Sequence, residues 1–496
     1  MAFETLKIYE VGEIREIKKG IAKVAGLENC MNGQLLDIPP SAKGLVIGFV
    51  EGEALVFLLG RLDQVKIGDK ISSRMEPFTI PVGKAIRGRI VSALAEPLDG
   101  KGPIATDKRC NVFREAPSVL ERIPITDVFE TGILAIDATI PVGKGQRELI
   151  IGDRMTGKTT VCVDTILNQA GKDIVCIYCC IGRSYSTLYK VVETFQKQGA
   201  MDYTIVVAAT ATTSAGEQYL APYSASAIGE YFRDQGRDVF IVFDDLTKHA
   251  WAYRQLSLLL ERAPGRDAYP GDIFYLHSQM VERAARLSPE FGGGTMTCFP
   301  IVDTLQGDIT GYVPSNLVSM TDGQIYLNAD LFSAGLKPAI DSGLSVSRIG
   351  NKVLCKAMKE LSASLRLEYI QYNELLKVTK FKSNPNEETL QRLRRGKVMT
   401  QLLFDQEKNR PYALEEELLL LYALKNDVIN NFTKDQVERF KNEIRAFAAS
   451  HYQAVIKELL AKKVLTPEIK KGLNECLSRY VKEQATAQET EKPADG

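Results

Sequence analysis

The chain has no surplus of either charge, no long apolar run and little that could hold a metal. Its 496 residues include 62 Lys+Arg and 62 Asp+Glu, so the formal net charge is zero. A nucleic-acid binder normally carries a basic surplus to neutralise phosphates, and its absence argues against that class. A neutral chain of this size suits life inside an assembly. No apolar stretch reaches the ~18 residues of a membrane-spanning helix, so any membrane association is expected through partners. Met1 to Lys7 offer neither the basic start nor the apolar core of a secretion signal, and no Arg- and Ser-rich transit segment precedes the fold. Histidine occurs three times. The nine cysteines are 30, 110, 162, 176, 179, 180, 298, 355 and 476. Cys176 and Cys179 form a C-x-x-C, but no second pair or histidine cluster completes a zinc site. They lie in the apolar run Ile174-Val-Cys-Ile-Tyr-Cys-Cys-Ile181 and read as buried, reduced thiols, which places the protein in a reducing compartment.

What is present is the composition of a folded protein, 45% hydrophobic and 25% charged, with length for about three domains. Residues 1–78 carry short apolar runs that end at Gly, Asp or Pro, the pattern of a small closed β-barrel. Residues 79–355 alternate continuous apolar strands with longer helical stretches, as buried parallel sheets do. The expected strands are Glu148–Gly152, Asp173–Tyr178, Tyr203–Ala208 and Val239–Phe243. Residues 356–483 read as helical. Thr433-Lys-Asp-Gln436 has the form of a capping box, with Val437, Phe440, Ile444 and Phe447 following at helical spacing, and Thr466-Pro467 is another helix start. Residues 484–496 lack apolar periodicity and read as a disordered tail.

Gly152-Asp-Arg-Met-Thr-Gly-Lys-Thr159 fits G-x-x-x-x-G-K-[ST], between an apolar strand and the helical pattern Val161, Val163, Ile166. Backbone N–H groups of Gly152, Asp153, Arg154, Met155, Thr156 and Gly157 would close around phosphates at the positive end of a helix. Lys158 would neutralise the β- and γ-phosphates, and the Thr159 hydroxyl would hold Mg²⁺. The expected ligand is ATP or ADP. Asp244, in Val239-Phe-Ile-Val-Phe-Asp244-Asp245, ends an apolar strand and is the expected acid that orients Mg²⁺, directly or through water.

Several segments extend this motif into a family resemblance. Gly145-Gln-Arg-Glu-Leu-Ile-Ile-Gly-Asp-Arg-Met-Thr-Gly-Lys-Thr159, Asp244-Asp-Leu-Thr-Lys-His-Ala-Trp-Ala-Tyr-Arg-Gln255 and Pro264-Gly-Arg-Asp-Ala-Tyr-Pro-Gly-Asp-Ile-Phe-Tyr-Leu-His-Ser278 are similar to α-type chains of the F-type ATP synthase/ATPase family. So are Thr321-Asp-Gly-Gln-Ile-Tyr326 and Pro338-Ala-Ile-Asp-Ser-Gly-Leu-Ser-Val-Ser-Arg-Ile-Gly350, and the similarity runs nearly the whole length. It implies an N-terminal β-barrel, a central RecA-like α/β nucleotide-binding domain and a C-terminal α-helical domain. It also implies an alternating ring of three α-type and three catalytic β-type chains around a γ-type rotor shaft, at the cytoplasmic face of the plasma (inner) membrane and coupled to protons or Na⁺.

Within that resemblance, the α-type subunit holds a nucleotide that it turns over little. Arg348 matches an arginine finger for the neighbouring β-type site, with Ser345 and Ser347 in its supporting loop. β-type chains place a Glu in a G-E-R segment, where this sequence has Ile181-Gly182-Arg183-Ser184, and an arginine cannot serve as a base. Three departures stand out. Met155 replaces the family's usual Gln, Gly182-Arg-Ser-Tyr-Ser186 replaces Gly-Gln-Lys-Arg-Ser, and the Gln-x-Gln near the adenine is reduced to Gln406. The segment before the barrel is also short, so attachment to a δ-type peripheral-stalk subunit is expected to be altered or absent. One alternative is a specialised F1-like motor with no ion-translocating base. Another is a hexameric RNA helicase, which would need exposed aromatics and a basic face that residues 1–78 scarcely offer.

Overall fold

In a computed structural model, which describes residues 9–60, 62–106, 108–379 and 387–490, the alternating N-terminal runs close into a six-stranded barrel. Its strands are β1 (Glu10–Lys18), β2 (Ile21–Ala25), β3 (Gln34–Ile38), β4 (Ala42–Val50), β5 (Glu53–Leu59) and β6 (Lys70–Pro77), in the order β1-β2-β5-β4-β3-β6. Strand β6 pairs back onto β1 and closes the ring. Period-two alternation turns Ile14, Val24, Leu36, Val46, Val56 and Ile71 inward. The tight hairpins at Lys19-Gly20 and Glu51-Gly52 have positive φ at both residues, a geometry that follows the strand twist and that glycine adopts without a Cβ penalty.

The protein forms two compact units, and they do not follow its linear three-part order. The first draws on Met1–Pro124, Lys144–Arg154 and Gln169–Asp322, and so holds both the barrel and a parallel sheet. Its strands run Leu149–Gly152, Thr295–Asp303, Asp238–Asp244, Ile174–Ile181, Thr204–Ala209 and Ile90–Val91 in spatial order. Four of these lie where the apolar runs predict them. The strand Thr295–Asp303 is absent from that prediction, yet it sits between Leu149–Gly152 and Asp238–Asp244. Thr295, Thr297 and Pro300 interrupt its apolar run, and proline is ordinarily excluded from central strands. The long helix Ala215–Arg233, buried along most of its length, packs against this sheet. Because the strands are parallel, Asp153, Asp303, Asp244 and Arg183 all emerge at their carboxyl ends.

The second unit draws on Ile125–Gly143, Met155–Asn168 and Gly323–Gly496. It contains Lys158–Leu167, the antiparallel pair Gly323–Leu327 and Val346–Ser347, and the helices from Lys356 onward. Leu418 to Leu424 are wholly buried in the helix Leu414–Lys425. The capping box forms as expected: Thr433 Oγ1 accepts from Gln436 N while Gln436 Oε1 accepts from Thr433 N. The last helix runs Pro467–Thr490, into the stretch 484–496 expected to be a tail, and residues 491–496 lie outside the described residues. No helix among the described residues is long and apolar enough to cross a membrane.

All nine cysteines are unbonded thiols, seven of them buried and Cys110 and Cys355 half-buried. Cys176 and Cys179 are three apart on one strand, so their side chains point to opposite faces of the sheet.

Candidate nucleotide site

The phosphate-loop segment begins in the first unit at Gly152–Arg154 and finishes in the second at Met155–Thr159. In the first unit the Asp153 carboxylate accepts from Thr304 Oγ1 at 2.6 Å and from Gly307 N at 2.9 Å. It thereby ties the start of the loop to the turn after Thr295–Asp303. The Arg154 guanidinium lies 3.5 Å from Asp303 and 5.4 Å from the ring centre of Trp251, the only tryptophan, and Lys248 Nζ stands 3.9 Å from the same ring.

Two strands along, Asp244 is fully buried and heavily bonded. Its Oδ1 accepts from Arg183 Nε at 2.7 Å and from Arg183 Nη2, and its Oδ2 accepts from the Tyr178 hydroxyl at 2.7 Å. Asp245 caps the helix Leu246–Leu259 by accepting from Lys248 N at 2.7 Å, and its other oxygen is 3.2 Å from Arg183 Nη2. Burial pushes the Asp245 carboxyl up to about 7, with Arg183 opposing the rise and Asp244 adding to it. Burial disfavours the Arg183 charge, but Asp244 and Asp245 together hold its pKa above the ordinary value. Sequence reasoning marked Arg183 as a missing base and Asp244 as a metal acid; it did not anticipate their pairing, which joins residues 61 apart.

In the second unit Met155 is 89% exposed and adopts φ 64°, a left-handed conformation uncommon outside glycine and concentrated at functional sites. Gly157, at φ 98°, is the N-cap of the helix Lys158–Leu167 and places no side chain over its first turn. Thr156 and Lys158 are nearly wholly buried. Beside them opens a cavity of about 440 Å³, a size usual for small ligands. Ile133, Val161, Leu327, Phe332, Pro338 and Ala339 give it apolar walls, and Thr160, Asp164, Lys337, Asp405, Gln406, Glu407 and Lys408 add polar groups. Gln406 does line the cavity, but its amide is engaged with backbone. Its Oε1 accepts from Leu134 N at 3.2 Å, and its Nε2 donates to Gly132 O at 2.8 Å and Arg410 O at 3.0 Å. Burial pushes the Asp164 carboxyl up to about 7, against a 2.8 Å hydrogen bond from Asn409 N. The lining comes from segments far apart in the sequence and leaves no contiguous signal there.

Arg348 is exposed and is not among the cavity residues. Its loop is braced: buried Ser345 accepts from Tyr326 N at 2.9 Å, and Ser347 Oγ donates to Pro141 O at 2.8 Å. The Ser345 carbonyl also accepts from Arg366 Nη2 at 3.0 Å. Among the described residues no group of three or more His, Cys, Asp or Glu is arranged to hold a metal.

Comparison with known proteins bears on all of these elements at once. Three family models match in sequence order. The beta-barrel domain of the ATP synthase alpha/beta family matches residues 8–74, and the nucleotide-binding domain of that family matches 132–347. The C terminal domain of the ATP synthase alpha/beta chains matches 355–480. The ATP synthase subunit alpha of Clostridium botulinum (strain Eklund 17B / Type B) is 46% identical over 477 residues, 96% of this chain and 94% of its own length. That of Clostridium acetobutylicum (strain ATCC 824) is 47% identical over the same shares. With barrel, nucleotide-binding sheet and helical region in this order, and relatives matched over nearly their whole length, the chain belongs to the ATP synthase alpha/beta family as an alpha-type member.

Proposed function

We propose that this chain is a nucleotide-holding, largely non-catalytic subunit of a rotary ATP synthase/ATPase, and that it lends Arg348 to a neighbouring β-type catalytic site. Gly152–Thr159 would take the phosphates of ATP or ADP, and the cavity beside Thr156 and Gly157 is roomy and apolar enough for a base. The observation that carries the non-catalytic reading is Arg183. Hydrolysis needs a group that can position or deprotonate water, and at this strand end the protein offers a guanidinium locked on Asp244. The partners are accordingly β-type chains alternating with this one and a γ-type shaft, with the membrane reached only through them.

Mg²⁺ ordinarily accompanies such nucleotides, and Thr159 and Asp244 are the residues the family assigns to it. Asp244 would act on the ion through water rather than bind it directly, since its oxygens also accept from Arg183 and Tyr178.

The test is to measure ATP binding by calorimetry and phosphate release on one sample of the isolated protein. Binding with negligible turnover is expected. Turnover near ~10 s⁻¹, an ordinary enzyme rate, would show it to be catalytic on its own.

A further inference from the structure

The cavity beside Thr156 and Gly157 lies wholly within the second unit, and one buried carboxylate faces it with an oxygen to spare. Asp164 is 6% exposed and lines the cavity. Its Oδ1 accepts from Asn409 N at 2.8 Å, while its Oδ2 has no hydrogen-bond or ion-pair partner among the described residues. Buried carboxylate oxygens are ordinarily satisfied, so an idle one opening onto a cavity marks a place for a donor.

The rest of the wall competes poorly for that donor. The Gln406 amide is taken up by backbone at Gly132, Leu134 and Arg410. Glu407 and Lys408 are exposed, and Lys337 holds its ammonium 5.3 Å from the ring centre of Phe332. The position of Asp164 is suitable as well. It stands seven residues beyond Gly157 on the helix Lys158–Leu167, which at about 1.5 Å per residue sets it roughly 10 Å from the end that would take phosphates. That is about the reach from a nucleotide's β-phosphate to the far edge of its base.

We propose that Asp164 reads the base: its Oδ2 accepts a hydrogen bond from the exocyclic amino group of adenine. Val161, Phe332 and Pro338 supply apolar surface for the faces of the ring. An ionised carboxylate only accepts, so it selects for a base that presents a donor at that edge. Guanine offers its two donors side by side and is best met by both oxygens of a carboxylate. With Oδ1 held by Asn409, Asp164 has one to give, which suits a single amino group. The proposal rests on the nucleotide-holding function above and names the specificity residue of that same site.

The experiment is calorimetric titration of the full-length protein, with excess Mg²⁺, using ADP and purine riboside diphosphate, which is ADP without its amino group. It is run at about pH 8.5, above the value of about 7 to which burial pushes this carboxyl, so that Asp164 is ionised. Wild type should bind ADP at least about tenfold more tightly than the analogue. In Asp164→Ala the preference should shrink to within about threefold. Asp164→Asn keeps an acceptor oxygen in the same volume and should keep most of the preference, with thermal melts reporting the folding of both variants. A side chain that merely anchors Asn409 would on removal weaken both ligands alike and leave their ratio unchanged. That result overturns the proposal, as does a wild-type protein that binds the two ligands equally, a comparison that needs neither variant. Binding of neither ligand by wild type overturns the nucleotide-holding function, and this proposal with it.

Discussion

At the residue scale, two histidines are buried side by side in the first unit. His249 and His277 are 0% exposed, with ring centres 5.8 Å apart. His249 Nε2 meets Tyr219 O at 3.1 Å, whereas neither ring nitrogen of His277 has a partner among the described residues. Burial lowers His249 from 6.5 to about 4, and burial plus the nearby His249 lowers His277 to about 3. Both rings are therefore neutral in the fold. The unfolded state takes up their protons first as the pH falls, so their contribution is complete above 6.5 and drains away toward 3. His249→Gln keeps an amide for the Tyr219 carbonyl but removes one titrating group. Between pH 6.5 and 4 it should flatten the pH dependence of unfolding free energy by about one proton, roughly 1.4 kcal/mol per pH unit. Urea titrations at stepped pH measure this, and an unchanged slope would mean that His249 is not held neutral.

At the scale of elements, local signals set boundaries and packing sets everything between them. The helix Lys434–His451 begins where its capping box begins, because two otherwise orphaned backbone N–H groups are satisfied there by Thr433 and Gln436. Its buried residues Val437, Phe440 and Ile444 then recur at the predicted spacing, while Phe447 is only half-buried. Thr433→Ala should cost about 1 kcal/mol, the usual worth of such a cap. The loss is read from urea unfolding followed by circular dichroism, and Thr433→Ser should restore most of it. By contrast, the strand Thr295–Asp303 owes its place to neighbours. Thr295 Oγ1 donates to Asp238 at 2.7 Å, and the strand is paired on both sides. The polar residues that hide it from a hydropathy reading thus include one that fastens it to the sheet.

At the scale of the whole molecule, the role proposed for Arg348 would be exercised in an assembly. The side chain is exposed on a loop held by Ser345 and Ser347, and the nucleotide cavity does not include it. If it serves a neighbouring β-type site, Arg348→Ala assembled with wild-type partners should lower hydrolysis by roughly 10³–10⁵. Arg348→Lys should be similarly damaging, because it keeps the charge and loses the planar fork. Nucleotide held by this protein's own loop should scarcely change in either variant. Hydrolysis within about threefold of wild type, or an emptied α-type site, would rule out a finger acting in trans.

The sequence by itself determined the order of barrel, parallel sheet and helical region, the phosphate-loop motif, and the family. Each of these is written in local patterns: period-two alternation, continuous apolar runs, glycine at turns, and a loop motif between a strand and a helix. Tertiary structure decided what those residues face. Asp244 read alone is a metal acid, and only the parallel pairing of Ile174–Ile181 with Asp238–Asp244 brings Arg183 onto it. Gln406 read alone is a candidate base contact, and only the fold sets its amide against the backbone at Gly132 and Leu134, more than 270 positions away. The physical reason is the same in both cases. A buried polar group must find a partner wherever the fold puts one, and that partner's distance in sequence leaves no mark on the local pattern.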